Sequence, residues 1–424
     1  MNINRHNKNV KPFPSWLLYL FMFQNLLNAG SPYFTIIINA MLAIFALAMS
    51  KYKFSRLDNH VVLYFSMIIT VWILVVILYR GGVYEQQILL KYVRSFITIL
   101  LIYLFIASVN ISSEVVVNSL SIVFGIHVYM VLLQVPFPDL MKLTGPIFGF
   151  ERELSILEQY TLRKLGASSS FDTASFWSAS GVIFFYLRYN SSSRKFFLIN
   201  FGAAILAGML SSRTGMIMTM ALVLCVCIHK IIIADPVKKL LFGTVLAGVF
   251  AFLFFSLYPL LLHSLGVQGL RSDEVALLFS VTDYGTTGSF QALTEDHLMP
   301  LMLPLKDLLI GYALDPNSIG RFSDIGYVKF IYHVGIIGAA LIVLIHLWMM
   351  RVTAFYIFRR SLDCADRDLG IFLLWLIGAG LLFNYKSLEI YSRGTGDMIF
   401  IVFLFFLSGC KRLKYDKEVL IAKS

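Results

Sequence analysis

A carboxylate and an aromatic residue stand where a polar, turn-rich stretch of the chain becomes apolar. The stretch 307–338 contains Gly, Pro and Asp residues and passes through Ser323-Asp324 into an apolar run. Asp324 and Tyr327 are three positions apart, which places them on one side of a helix. A carboxylate at the edge of a cleft can act as general base. Ser323-Asp324 also suits a helix N-cap; spacing alone favours the cap, and the two roles are compatible.

A cation lies in a very short turn between two apolar runs. Arg213 belongs to the sequence Ser211-Ser212-Arg213-Thr214-Gly215, which separates the runs 196–211 and 214–233. One interpretation is that the Arg213 side chain extends to lipid headgroups. The other is a guanidinium that holds a phosphate with two hydrogen bonds. So short a turn leaves the side chain little freedom to reach the headgroups, which favours the second interpretation.

Further cations fall on the same predicted side of the chain. Arg163 precedes Gly166 near the end of a polar segment, and Arg271 and Arg321 lie in a second, longer polar segment. A solvated loop is the simple explanation for each of them. Taken together with Arg94, Lys386 and Arg393, they predict a basic cleft that would bind an anionic substrate.

Other constellations argue against a metal or a nucleotide cofactor. Glu295-Asp296-His297 are adjacent, so regular structure cannot direct all three at one ion, and a solvated loop is the better interpretation. The four cysteines lack metal-ligand spacing. His127 and His346 lie in apolar runs and are expected in the core. We find no nucleotide-binding glycine motif.

The composition is that of an integral membrane protein. Of 424 residues, 58% are hydrophobic and 14% charged, and the mean hydropathy is +0.78. The net charge of +11 comes from Lys and Arg at the ends of apolar runs, a pattern typical of membrane topology rather than of nucleic-acid binding. We therefore expect a lipid bilayer, and no nucleic acid, as partner.

The apolar runs predict an all-α polytopic membrane protein with about 12 transmembrane helices in one domain, residues 1–424. Two long polar segments, 136–172 and 262–324, interrupt them, each long enough to form a lid or half of a cleft. The basic N-terminus is read as preceding a retained first helix rather than a cleaved signal. The predicted spans are 15–29, 32–50, 60–79, 92–109, 114–135, 173–189, 196–211, 214–233, 240–261, 325–349, 369–388 and 396–410.

The distribution of cations predicts the orientation. Most of the 35 Lys and Arg residues fall on the side that carries both termini, so both termini are predicted to be cytoplasmic. The two long segments then lie outside, together with Arg80, Lys91 and Lys329. We call the side that carries the two long segments the outer side, and the side that carries the termini the inner side.

Local sequences resemble the O-antigen polymerase (Wzy-type) family of bacterial polysaccharide assembly and the related O-antigen ligases. Leu210–Gly215 is similar to the family's Ser-Arg-Thr-Gly turn. Leu309–Tyr312, Ser323–Tyr327 and Gly335–Gly338 are similar to its second loop and the following helix. Arg163-x-x-Gly166 is similar to the element that closes the first loop, although Asp172-Thr173 replaces the usual Pro-Asn.

The resemblance implies a membrane-embedded glycosyltransferase of GT-C-like architecture with two long periplasmic loops, in the bacterial inner membrane. The enzyme would polymerise oligosaccharide repeats linked through diphosphate to undecaprenol, at the periplasmic face. It implies a flippase and a chain-length regulator as partners. It also implies neither a metal nor a cofactor, because the leaving group is already activated and arginines can stabilise its charge. In this scheme Arg213 and Arg163 bind the diphosphate, with Arg271 and Arg321 assisting. Asp324 is the base, and Tyr327 stacks on a sugar.

Two alternatives stay open at this stage. The ligases typically have His eleven residues before a Gly, whereas residue 324, eleven before Gly335, is Asp here; this difference favours the polymerase. A transporter or flippase for polyprenyl-linked glycans would place ionisable groups and broken helices near the bilayer midplane, often in repeated halves. The charges of this chain lie at the predicted outer edge, and no repeat is visible.

Overall fold

The computed structural model describes residues 18–22, 32–49, 61–108, 111–148, 164–168, 171–192, 195–233, 303–319, 323, 325–359, 362–384 and 395–421. These residues form helices joined by turns, and none of them forms a strand. The helices are α1 (Pro32–Met49), α2 (Val61–Tyr79), α3 (Gln86–Ser108), α4 (Ser113–Leu133), α5 (Asp139–Phe148), α6 (Phe171–Ser192), α7 (Lys195–Ser211), α8 (Arg213–Ile233), α9 (Leu305–Ile310), α10 (Gly326–Arg359), α11 (Cys364–Phe383) and α12 (Thr395–Ile421).

Most predicted spans overlap one of these helices. The runs from 32–50 to 214–233 correspond to α1–α4 and α6–α8, and the last three correspond to α10–α12. The run 240–261 lies outside the described residues, and of the first run only residues 18–22 are described, as a short helical piece. The segment 136–172, predicted as a loop, contains the helix α5.

Among the residues that the structure describes, four helices are long and apolar enough to cross a membrane. They are α2, α3, α4 and α10, while α7 and parts of α1, α8 and α12 are apolar but shorter. A spanning helix needs about 20 residues with few charges. The chain is thus a helical protein with several candidate membrane spans, as its composition predicts.

The core is apolar and rich in aromatic rings. The Phe124 ring on α4 lies 5.3 Å from Trp177, 5.3 Å from Phe184 and 5.5 Å from Phe372, measured between ring centroids. These contacts join α4, α6 and α11, and such pairs stabilise beyond their buried area. Residues 398–407 of α12 are all buried. Because ten consecutive residues cover every face of a helix, α12 is enclosed by other helices along this stretch.

Contacts between helix ends follow the predicted alternation of sides. On the predicted inner side, the Ser113 hydroxyl donates to the Asp366 carboxylate, and Arg188 lies 3.6 Å from Asp368. On the predicted outer side, Arg80 pairs with Asp307. Each pair joins two ends that the charge distribution assigns to the same side. The absolute orientation remains a prediction from the cation count.

Helix α10 is interrupted inside its apolar run. Gly335 has φ 68° and ψ 178°, so the helix stops there and starts again. The predicted run 325–349 therefore contains two helical pieces, and the second continues to Arg359. Gly338 allows close packing, as expected from its size, because a Cβ there would lie 2.9 Å from the Trp72 ring.

Candidate functional site

The turn that carries Arg213 is held by serine hydroxyls. The Ser212 Oγ accepts a hydrogen bond from the Gly215 amide at 3.1 Å, which caps the N-terminus of α8. The Ser175 and Ser212 hydroxyls lie 2.5 Å apart, and this contact attaches the turn to α6. Arg213 is the first residue of α8. The backbone position of the predicted diphosphate-binding residue is thus set by two neighbouring helices.

A small residue is required inside this turn. A Cβ at Gly215 would lie 2.8 Å from the Gly208 carbonyl oxygen and 2.8 Å from the Ser175 side chain. The two contacts come from α7 and α6. Since real Cβ atoms do not approach other atoms so closely, Gly215 permits the close meeting of α6, α7 and α8.

The end of the first long outer segment is bound to the same turn. The Lys164 amide donates to the Leu210 carbonyl at 3.0 Å. Arg163 itself lies outside the described residues, but it directly precedes Lys164. The segment that begins at Lys164 therefore contacts the turn that carries Arg213, and the basic cleft stays a prediction.

A buried glutamine anchors this chain segment to α4. The Gln134 side-chain oxygen accepts from the Leu165 and Gly166 amides at 3.1 and 2.9 Å, and its nitrogen donates to the Gly166 carbonyl at 3.2 Å. Gly166 adopts φ +58°, a conformation that favours glycine. Gln134 is fully buried, and the bonds replace those it would make to water.

His127 extends the anchoring network into the core. Its Nδ1 accepts from the Ala167 amide at 3.3 Å, and its Nε2 lies 3.1 Å from the Ser178 hydroxyl. Ser178 in turn lies 3.2 Å from the Ser211 hydroxyl. The prediction that His127 is a core residue is confirmed, since it is fully buried. The sequence did not indicate that it links the first outer segment to the Arg213 turn.

Lys164 is a buried cation at this junction. It is 4% exposed, and desolvation lowers the pKa of its amine. A buried lysine is costly unless its charge is compensated. Lys164 lies in the sequence Arg163–Gly166. The sequence alone does not distinguish it from a lysine in a solvated loop.

The second outer segment is fastened to the end of α2 by an ion pair. The Arg80 guanidinium lies 2.7 Å from the Asp307 carboxylate and donates from Nε and Nη2 to the Gly311 carbonyl at 2.9 and 2.7 Å. It also lies 4.1 Å from the centroid of the Tyr312 ring, a cation–π distance. From the sequence alone, Arg80 was one of several cations on the predicted outer side.

Asp307 and Tyr312 are coupled by a hydrogen bond. The Tyr312 hydroxyl donates to Asp307 Oδ2 at 2.9 Å. Desolvation alone would raise the pKa of Asp307, but the Arg80 contact, the Tyr312 hydrogen bond and the Arg80 charge together hold that pKa below its usual value. Desolvation and the bond to Asp307 raise the pKa of the Tyr312 phenol. The carboxylate is thus kept ionised and the phenol protonated.

The same segment satisfies the backbone at the interruption of α10. The Tyr312 and Ala313 amides donate to the Tyr332 and His333 carbonyls at 2.7 and 3.1 Å. The Trp72 indole donates to the Val334 carbonyl at 2.7 Å. Carbonyls that lose their helical partners must find other donors away from water. The second outer segment and α2 supply these donors, so they stabilise the break.

The start of α10 contacts the outer end of α11. The Tyr327 hydroxyl donates to the Leu381 carbonyl at 2.6 Å, and a Cβ at Gly326 would lie 2.5 Å from the Asn384 amide oxygen. Next to them, the Phe383 ring lies 5.7 Å from that of Phe176. Phe176 adjoins Ser175, which contacts the Arg213 turn. The loop-to-helix junction and the Arg213 turn are therefore joined through the ends of α6 and α11.

Tyr327 has a structural contact in addition to its predicted role. Its hydroxyl donates a hydrogen bond to the Leu381 carbonyl. Its ring is partly buried and packs beside Ile325, Val328 and Tyr332. The predicted stacking on a sugar stays a prediction. Ser323, predicted with Asp324 as an N-cap, is fully buried, and its hydroxyl accepts from the Ile325 amide at 3.3 Å.

The remaining predicted site residues lie outside the described part of the chain. They are Asp324, Arg163, Arg271 and Arg321, and of Arg213 only the backbone is described. Among the residues that the structure describes, no group of His, Cys, Asp or Glu could hold a metal ion.

Comparisons with known proteins give no relative. No protein-family model matches the chain, and searches of curated proteins and of solved structures found no match.

Proposed function

We propose that the chain is a membrane-embedded glycosyltransferase that polymerises oligosaccharide repeats carried on a polyprenyl diphosphate such as undecaprenyl diphosphate. The hydrogen bond between the Lys164 amide and the Leu210 carbonyl carries this proposal. It joins the two segments whose arginines, Arg163 and Arg213, resemble those of the polymerase family. A diphosphate needs preorganised cations around it, and this junction would bring two of them to one place.

The proposed reaction is a glycosyl transfer between two lipid-linked glycans. An acceptor hydroxyl attacks the anomeric carbon of the growing chain, the new glycosidic bond forms, and the bond to the polyprenyl diphosphate breaks. The hydroxyl proton would pass to a base, for which Asp324 is the candidate. The negative charge on the departing diphosphate would be stabilised by Arg213 and Arg163, with Arg271 and Arg321 as further candidates. Because the diphosphate is an activated leaving group, no cofactor takes part.

Contacts made by the residues that follow Asp324 also support its proposed role as the base. Asp324 adjoins Ile325 and Gly326, and Gly326 lies against Asn384 at the end of α11. The neighbouring Phe383 contacts Phe176 of α6, next to the Arg213 turn. These contacts support a single outer cleft between the ends of α6, α8, α10 and α11.

Surface glycan profiling in the source bacterium tests the proposal. A strain that lacks the chain should show single repeats in place of a polymer ladder, and the wild-type chain should restore the ladder. Arg213→Ala and Asp324→Ala, each at wild-type membrane level, should not restore it. Arg351→Ala is the matched control, because Arg351 is an exposed cation in the later part of α10. Restored ladders with both site variants would refute the mechanism; a deletion strain with bare lipid core would indicate the ligase instead.

Transport of a polyprenyl-linked glycan is the second candidate, and the interruption of α10 favours it. Gly335 lies nine residues after the start of α10. At ~1.5 Å per residue its distance from the helix start is about 13 Å, which is close to the middle of a ~30 Å hydrocarbon layer. Broken helices at that depth are common in transporters, where freed carbonyls coordinate an ion. Here Tyr312, Ala313 and Trp72 already donate to the three carbonyls before the break. The polymerase therefore remains the better-supported function.

A further inference from the structure

A group of cations lies between the outer ends of α3 and α10, apart from the Arg213 turn. Lys91 and Arg94 are three positions apart on α3, and Lys329 and His333 are four apart on α10, so each pair shares a helix face. The two helices meet here through side chains. The Tyr92 hydroxyl lies 3.5 Å from His333 Nδ1, and the Lys91 amine lies 5.9 Å from the Phe330 ring centroid.

The charges of this group act on one another. Lys91 interacts electrostatically with Arg94 and Lys329, and with the carboxylate of Asp315. His333 interacts with both Lys91 and Lys329. Among the residues that the structure describes, three permanent cations and the Asp315 carboxylate thus act on one another at this place. Like charges held together in a partly buried place raise the free energy of the protein, and an anion bound among them would lower it.

His333 supplies an independent sign of a missing acceptor. It is 1% exposed, and its Nε2 has no hydrogen-bond partner in the part of the chain that the structure describes. If the Tyr92 hydroxyl donates to Nδ1, the proton of the neutral ring is on Nε2. That N–H then needs an oxygen acceptor, and leaving it unsatisfied in a buried place costs free energy. Because His333 interacts electrostatically with Lys91 and Lys329, an anion bound to those lysines is a candidate acceptor for this N–H.

The backbone around the group is fixed in advance. The Glu85 amide donates to the Ala313 carbonyl at 3.1 Å, and the Asp315 amide donates to a Glu85 carboxylate oxygen at 3.2 Å. These bonds hold the turn before α3 against the second outer segment. Binding here would therefore need no folding of the surrounding backbone, which lowers its cost.

We propose that Lys91, Arg94, Lys329 and His333 form a binding site for a phosphate or diphosphate group. The lysines supply charge, the arginine supplies two parallel N–H donors, and the imidazole supplies one directed donor. Such a group could belong to a membrane lipid or to a soluble molecule. The proposal does not depend on the polymerase function, since it concerns binding alone.

Direct binding to the purified full chain in detergent tests the proposal. The probes are inorganic pyrophosphate, which has no lipid tail, and farnesyl diphosphate, which carries a short polyprenyl tail. Isothermal titration should show binding of at least one probe. Lys91→Gln and Lys329→Gln should each weaken it about tenfold, which corresponds to the loss of one charge-assisted contact. Lys142→Gln should leave the affinity unchanged, because Lys142 is an outer cation whose side chain is 70% exposed.

The two probes distinguish the sources of the phosphate. Pyrophosphate binding that depends on both lysines supports a site that soluble anions can occupy. Binding of farnesyl diphosphate alone, with the same dependence, supports a lipid ligand. The proposal is overturned if neither probe binds, if the glutamine variants bind as tightly as wild type, or if Lys142→Gln weakens binding equally. Should Lys91→Gln fail to fold, Arg94→Gln and the charge-retaining Lys91→Arg provide the same comparison, with loss expected for the first and retention for the second.

Discussion

Gly311 and Gly335 approach so closely that a Cβ on Gly311 would lie 2.4 Å from the Gly335 amide nitrogen. Both glycines have positive φ, 93° and 68°, with ψ near 180°. Residues with a side chain almost never adopt this backbone conformation. The end of α9 is thereby seated directly in the interruption of α10, and the second outer segment becomes part of the membrane helix packing.

We expect Gly335→Ala to prevent correct folding. Its Cβ would lie 2.1 Å from the Leu309 carbonyl oxygen, a backbone atom that cannot rotate away. Steric overlap and backbone strain together should cost more than about 3 kcal/mol. The measurement is the yield of monodisperse protein in detergent and its apparent Tm.

Gly378→Ala is the control for this substitution. Gly378 lies within the regular helix α11, and a Cβ there would meet nothing within 4 Å. Alanine is the better helix former, so this variant should be neutral or more stable by up to about 1 kcal/mol. Equal yields and Tm values for Gly335→Ala and Gly378→Ala would show that the break in α10 is not needed for the fold.

The Asp307 carboxylate should stabilise the protein only while it is ionised. Its pKa in the folded state is lowered, because the Arg80 contact and the Tyr312 hydrogen bond outweigh desolvation. A lowered pKa means that the stabilisation is complete above the unfolded value of about 4 and is lost as pH falls through the folded value. The Tm advantage of wild type over Asp307→Asn should therefore be constant between about pH 7 and 5 and shrink below about pH 4.

The exposed ion pair Asp139–Lys142 is the control that distinguishes the loss of the Asp307 charge from general unfolding in acid. Asp139 pairs with Lys142 at 3.9 Å, and its side chain is 88% exposed. Exposed pairs contribute about 0–1 kcal/mol, so Asp139→Asn should follow wild type at every pH. A Tm difference between wild type and Asp307→Asn that does not change below pH 4 would contradict the assignment of Asp307 as an ionised partner of Arg80.

The helices of this bundle were predictable because apolar runs of membrane length have few alternatives. Glycine, proline and cations at the ends of the runs marked the turns, as at Ser211–Gly215. The first and last residues of the helices were less predictable. α5 lies inside a segment that polar and proline residues indicated as a loop, because a short helix on an outer surface leaves no long apolar run.

The contacts that build the site were not predictable from the same patterns. Arg80 and Gly311 are 231 positions apart, and no periodicity connects them. The conformation of Gly335 was not predictable either, since the sequence does not encode the φ of an isolated glycine. Its break depends on donors from Tyr312, Ala313 and Trp72. The cations predicted a basic cleft that includes Arg163, and the family resemblance related Arg163 and Arg213 to one substrate, but neither predicted the contact between Lys164 and Leu210.

Gln134 should protect the end of the first outer segment from proteolysis. Three hydrogen bonds from its side chain hold Leu165 and Gly166, and Lys164 beside them is buried. Gln134→Ala removes these bonds and should cost about 2–4 kcal/mol of local stability. Trypsin should then cleave after Lys164 much faster than in wild type, which mass spectrometry of the fragments would show.

Gln87→Ala provides the comparison for that experiment, since Gln87 is exposed near the start of α3. It should leave the cleavage rate at Lys164 unchanged. If Gln134→Ala cleaves no faster than wild type, the segment is held by other contacts and Gln134 is not its anchor.

Ser212 should determine both the stability of the α8 N-terminus and the position of Arg213. Its hydroxyl accepts from the Gly215 amide and contacts the Ser175 hydroxyl. Ser212→Ala loses the cap, which costs about 0.5–2 kcal/mol, and leaves Ser175 without this partner. Under the proposed function the surface polymer should become shorter, because the guanidinium of the next residue would no longer be held at the diphosphate.

Ser212→Thr keeps an accepting hydroxyl and should retain most of the polymer length. A full-length ladder with Ser212→Ala, at a Tm lowered by the loss of the cap, would show that the cap stabilises the helix without positioning Arg213 for the reaction.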